Sequence, residues 1–107
     1  MTTPTTKTIN ELVLPELEKA TKLEDLPIEV VAGLLIGLLT GRPEVNTVDI
    51  EKTSRITSLT FDISEGSKAR AIGKRGHTLK AIRSVCKSIE RSRMRDVIID
   101  LPGYEVD

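Results

Sequence analysis

Gly73 and Gly76, held three residues apart in Gly73-Lys74-Arg75-Gly76, constrain this chain more than any other feature. They separate two stretches with helical character. Before them, Ser64 can cap a short helix over Glu65 to Ile72, with Glu65 favourably placed in its first turn. After them, Leu79, Ile82, Cys86 and Ile89 recur at spacings of three and four, the core face of a longer helix from about His77 to Ser92. Two helices joined so closely must turn sharply, and glycine supplies the backbone conformations that such a turn requires.

Strand patterns flank the helical pair. Val48 and Ile50 alternate with Thr47, Asp49 and Glu51, and Leu59, Phe61 and Ile63 alternate with Ser58, Thr60 and Asp62. Downstream, Val97, Ile99 and Leu101 alternate with Asp96, Ile98 and Asp100 until Pro102-Gly103 ends the run. A period of two marks a half-buried sheet, and the polar stretch Glu51 to Arg55 can turn between the first two strands. Upstream, Pro27 suits the first turn of a helix, Ile28 to Thr40 is apolar almost all round, and Gly41 stands where a left-handed C-cap would be. Gly33 and Gly37 would let another backbone approach, either a second copy at a dimer seam or the domain's own sheet.

The predicted order is helix, strand, strand, short helix, glycine loop, long helix, strand. This is an α+β chain, with a three-stranded mixed sheet covered on one face by three helices. Residues 1–8 contain five threonines and little to bury, and read as a disordered tail. Residues 9–26 read as a loosely docked extension with a short helix after Pro15, because proline starts or breaks a helix. Residues 27–102 form the domain proper and 103–107 a C-terminal tail, with Tyr104 placed to cover the sheet's edge.

At 107 residues there is room for a single hydrophobic core. Aromatic residues amount to 2%, Phe61 and Tyr104, so that core is aliphatic and few side chains remain to stack on bases. A lone cysteine, Cys86, excludes an internal disulfide and a cysteine-clustered zinc site; on the apolar helix face it reads as a small buried hydrophobe. No secretory pattern opens the chain, and its longest apolar stretch, Ile28 to Leu39, falls short of the roughly 20 residues that cross a bilayer. The expectation is a cytoplasmic protein.

Net charge is zero, and that average hides a sharp division. From Gly66 to Arg95 there are ten Lys or Arg against one acid, Glu90, while six bases and fifteen acids make up the rest. A polyanion would meet a concentrated positive region here. Lys80, Arg83, Lys87 and Arg91 recur with helical period on a face distinct from the apolar one, a basic stripe leading away from the glycine loop. Backbone amides opening the long helix add the positive end of its dipole, and Lys74 and Arg75 add full charges beside it.

The run Ala71-Ile72-Gly73-Lys74-Arg75-Gly76-His77-Thr78-Leu79-Lys80-Ala81-Ile82 resembles the KH-domain signature, I-G-x-x-G followed by apolar residues at intervals of three. The element order is similar to the type II arrangement, and the likeness is to small bacterial single-KH proteins of the KhpA type, over about Ile28 to Leu101. That resemblance implies a binder of single-stranded RNA, whose glycine loop clamps about four nucleotides of backbone. It places contact with RNA at Gly73, Lys74, Arg75, Gly76, His77, Lys80 and Arg83, with Lys68 and Arg70 on the preceding helix. Ile72 and Ile63 become candidates for an apolar base groove. It also implies partners of the same kind, as a homodimer or a heterodimer with another KH protein. Two helices joined by a glycine turn leave a DNA-binding helix-turn-helix as a further reading, against which the short first helix and flanking strands argue. No cofactor, metal or catalytic set is in view: His77 has neither a second ligand nor a paired nucleophile, so the chain reads as no enzyme.

Overall fold

The alternating segments pair into one mixed sheet in the computed structural model, which describes residues 4–103. Strand β2 (Thr47–Lys52) runs antiparallel to β3 (Ile56–Asp62), with Val48 opposite Phe61 and Ile50 opposite Leu59. Strand β4 (Asp96–Asp100) lies parallel to β3, with Leu59 opposite Ile99. A parallel return needs a crossover, which helices α3 (Glu65–Ile72) and α4 (His77–Ser92) supply. One face of the sheet buries Val48, Ile50, Leu59, Phe61, Val97 and Ile99 beneath the helices; the other shows Asp49, Glu51, Asp62, Ile98 and Asp100 to solvent. Helix α2 (Ile28–Thr40) completes the layer, closed by Gly41 at φ 73°. Phe61, Leu59, Ile36 and Leu79 are among the fully buried side chains between the sheet and the helices.

The sheet has four strands where three are expected. Thr5–Thr8 form β1, antiparallel to the outer edge of β2 from Thr5–Ile50 to Thr8–Thr47. The expected disordered tail over 1–8 is therefore wrong for residues 5–8; residues 1–3 lie outside the described residues. Composition misleads because this strand buries almost nothing. Its stability comes from backbone pairing with an open edge, from β-branched threonines suited to it, and from a bond of 2.6 Å donated by the Thr6 hydroxyl to Asp49.

The extension over 9–26 is also corrected. Helix α1 spans Ile9–Lys19 and runs through Pro15 instead of starting after it. A capping box fixes its start: the Glu11 N–H donates to Thr8 Oγ1 at 3.1 Å, and the Thr8 N–H donates to Glu11 Oε1 at 2.9 Å. Pro15 deprives the Glu11 carbonyl of its helical partner, and both residues are exposed, on the solvent side of the helix.

Nor is α1 loosely docked, since Ile9, Leu12 and Val13 are buried. They fill the hollow left by Gly33 and Gly37. A Cβ on Gly33 would stand 3.1 Å from Val13 Cγ2, and one on Gly37 would stand 3.0 Å from Ile9 Cγ2. The glycine seam is thus occupied by the chain's own α1, not by the sheet or a second copy. Helices α1 to α4 and the four strands make a compact α+β fold among the described residues. None of these helices is long and apolar enough to cross a membrane. The C-terminal tail from Tyr104 onward lies outside the described residues.

Candidate nucleic-acid interface

The loop between α3 and α4 is built from backbone constraint. The Gly73 N–H donates to Ala69 O at 2.9 Å and closes α3, after which Gly73 turns to φ 77°, ψ 176°. A short 3-10 turn, Lys74–Gly76, follows, with Arg75 at φ 56° and Gly76 at φ 74°, both left-handed. Arg75 is the unusual one, since that conformation costs an ordinary side chain about 1 kcal/mol. A Cβ on Gly73 would lie 2.1 Å from Thr78 Oγ1, so only glycine lets α4 start where it does. The result leaves Lys74 and Arg75 exposed at the head of a 16-residue helix whose first-turn amides have no side-chain cap. Such an end attracts anions, through its amides and through the helix dipole.

Around this end the expected residues fall into three groups. Lys74, Arg75, His77 and Lys80 are exposed beside the start of α4. Arg70 is also exposed but belongs elsewhere: two positions from Lys68, it faces the opposite side of α3 and reaches the end of α2 near Gly41. Ile72 is half-buried against the core, and Ile63 is 3% exposed, which makes it a core residue and no part of a groove.

The third group is turned inward. Arg83 Nε donates to Ile99 O at 2.9 Å. Lys87 Nζ donates to Val97 O and to Asp96 Oδ1, both at 3.1 Å. Lys68 Nζ donates to Pro102 O at 3.2 Å and pairs with Glu65 at 3.1 Å. The stripe expected from Lys80 to Arg91 is therefore not a continuous free face, because its middle pair is held on β4. Sequence reasoning missed β4 as the partner, although the spacing of Arg83 and Lys87 by one turn was visible.

Seven cations of the basic block, Arg70, Lys74, Arg75, Lys80, Arg83, Arg91 and Arg95, make no ion pair among the described residues, although Arg83 is held by a backbone carbonyl. A cleft of about 350 Å³ lies along β4, lined by Arg83, Lys87, Ile98, Ile99 and Asp100. A larger one, about 520 Å³, opens away from the loop between β1, α1 and α2, where Lys7, Lys19 and Lys52 mix with Glu11, Glu16 and Glu29. The hydrogen bond from Lys87, reinforced by the Val97 N–H, holds the Asp96 carboxyl below its ordinary range. Burial, with Glu90 nearby, pushes the Cys86 thiol up to about 11, so it is no nucleophile at neutral pH. Family models, curated proteins and solved structures give no match to the chain.

Proposed function

We propose that this protein binds single-stranded RNA as a type II KH domain, gripping the sugar-phosphate backbone at Gly73-Lys74-Arg75-Gly76. The observation that carries the reading is the loop itself. Two exposed cations, Lys74 and Arg75, sit on a glycine-constrained turn at the start of α4, which has no side-chain cap although the His77 N–H donates to Lys74 O. Phosphates bind at such a place through backbone amides, the helix dipole and full charges together. Lys80, one turn on and exposed, extends the grip, and His77 can hydrogen-bond a phosphate. With Phe61 fully buried, the His77 imidazole is the one exposed aromatic ring among the described residues, so recognition rests mainly on shape and charge.

The test is fluorescence anisotropy with short single-stranded RNA, comparing wild type with Lys74→Asp/Arg75→Asp. Neutralising three phosphates of a single strand gives a salt slope near −2, a loss of roughly twentyfold between about 50 and 200 mM salt. The double variant, folded by circular dichroism, should lose binding altogether. Retained binding would sink the reading, as would a preference for duplex DNA. A protein-interaction role is favoured separately by an apolar groove between α1 and α2, where Leu14, Leu17 and Leu38 are exposed. A monomer mass by light scattering at high concentration would count against self-association there.

A further inference from the structure

Strand β4 is an edge, and its outer side is already occupied. In a parallel pair, the N–H and C=O of one residue point to the same side and alternate along the strand. Among the described residues only β3 neighbours β4, so Val97 and Ile99 direct their carbonyls away from the sheet, toward α4. Two residues of strand span about 6.6 Å, and four residues of helix rise about 6.0 Å. Side chains four apart on α4 therefore match carbonyls two apart on β4, which is the observed pairing of Arg83 with Ile99 and of Lys87 with Val97. The lower end is doubly fixed, because the Asp96 carboxylate accepts from both Lys87 Nζ and the Val97 N–H. At the upper end Lys68 holds the Pro102 carbonyl.

An uncovered strand edge offers rows of donors and acceptors. Unpaired bases carry distinct donor and acceptor patterns, so such an edge beside a backbone clamp would favour some bases over others. Here cations stand on the acceptors. We propose that Arg83 and Lys87 make the protein indifferent to base identity, by holding the outward carbonyls of Val97 and Ile99 so that a strand in the cleft meets positive charge where those two acceptors would be, with the Asp100 carboxylate at its margin. This rests on the RNA-binding reading above, and it assigns Arg83 and Lys87 a task different from that of Lys74 and Arg75: they decide which RNA is bound, and the loop decides whether any is.

The experiment measures anisotropy of oligo-U, oligo-A and oligo-C, each of about eight nucleotides, with wild type, Arg83→Ala and Arg83→Ala/Lys87→Ala. Wild type should bind the three within about threefold of one another. The double variant should bind all of them more weakly, yet spread them by about tenfold or more once the carbonyls are free. A folded double variant with the same narrow spread overturns the proposal, as does a wild type that already discriminates tenfold. Should the double variant unfold below the assay temperature, Arg83→Ala carries the same comparison, since Arg83 is only half-buried on the surface of α4. If wild type binds none of the three, the RNA-binding reading falls and this inference with it. If wild type binds but discriminates, only the inference falls.

Discussion

Gly73→Ala isolates the backbone demand of the loop. The added Cβ would lie 2.1 Å from Thr78 Oγ1, 2.5 Å from Thr78 Cβ and 2.9 Å from Thr78 N. Rotating the Thr78 side chain relieves the first contact only, because its Cβ and N are fixed by the helix. At φ 77°, ψ 176° an alanine is strained by about 1–3 kcal/mol. Pushing the start of α4 away from α3 adds an overpacking cost of about 1–3 kcal/mol. A total near 4 kcal/mol, at about 2.1 cal/mol/K of unfolding entropy per residue, lowers the melting temperature of a chain this size by about 18 °C. Gly66→Ala is the control with the opposite sign. A Cβ at Gly66, in the first turn of α3, meets nothing within 4 Å, and alanine there should stabilise by about 0.5 kcal/mol. Thermal melts followed by circular dichroism read both variants. If Gly73→Ala melts within about 2 °C of wild type, the loop is not constrained as argued.

Three further outcomes are expected. Leu12→Ala, on α1, should cost about 2–3 kcal/mol in urea unfolding with an unchanged m-value, because Leu12 is 5% exposed and packs at Gly33; a cost under about 0.5 kcal/mol would mean that α1 is not part of the core. Cys86 should resist thiol reagents at pH 8 until the protein is unfolded. Its raised value also makes the neutral thiol the stabilising form, so that contribution is intact below pH 9 and is lost as pH rises through about 11, a decline absent in Cys86→Ala. Asp96 has the opposite sign: its lowered value stabilises at neutral pH and is lost as pH falls below the ordinary 3.8, so Asp96→Asn should flatten that part of the acid limb in urea titrations between about pH 2 and 6.

The elements that declare themselves in the sequence are those whose stability is written in apolar spacing. Leu79, Ile82 and Cys86 mark the buried face of α4, and all three are at most 6% exposed. The alternation around Leu59 and Ile99 likewise marks β3 and β4, and the helix from Glu65 to Ile72 has the expected bounds, although Ser64 makes no side-chain cap bond and its hydroxyl donates to Ser67 Oγ instead. Strand β1 is stabilised by an edge that exists only once β2 is folded, and no local pattern of Thr5–Thr8 reports on that edge. Helix α1 was hidden by Pro15, whose lost hydrogen bond is a small cost beside the burial of Ile9, Leu12 and Val13. At the site, the glycines and exposed cations of the loop were legible. The capture of Arg83 and Lys87 by β4 was not, because charge periodicity on a helix is the same whether the charges face water or a neighbouring strand edge.

That ambiguity of charge extends to the molecule as a whole. A net charge of zero describes neither of its faces. The helical side carries the ten cations between Gly66 and Arg95, whereas the open face of the sheet carries Asp49, Glu51, Asp62 and Asp100, all exposed. Cross-strand pairing lines these acids up with hydroxyls: Thr6, Asp49, Thr60 and Asp100 form one row across all four strands. The molecule measures 29 Å along its shorter axes and the screening length at physiological salt is about 8 Å, so neither face cancels the other for a charge at contact distance. A polyanion is repelled from the sheet and from the acidic α1, and drawn to the part of the helical side formed by α3, the loop and α4. For the RNA binding proposed above, the acids would set orientation as the cations would set affinity, leaving the edge between α4 and β4, with the loop at its head, as the side for a nucleic acid.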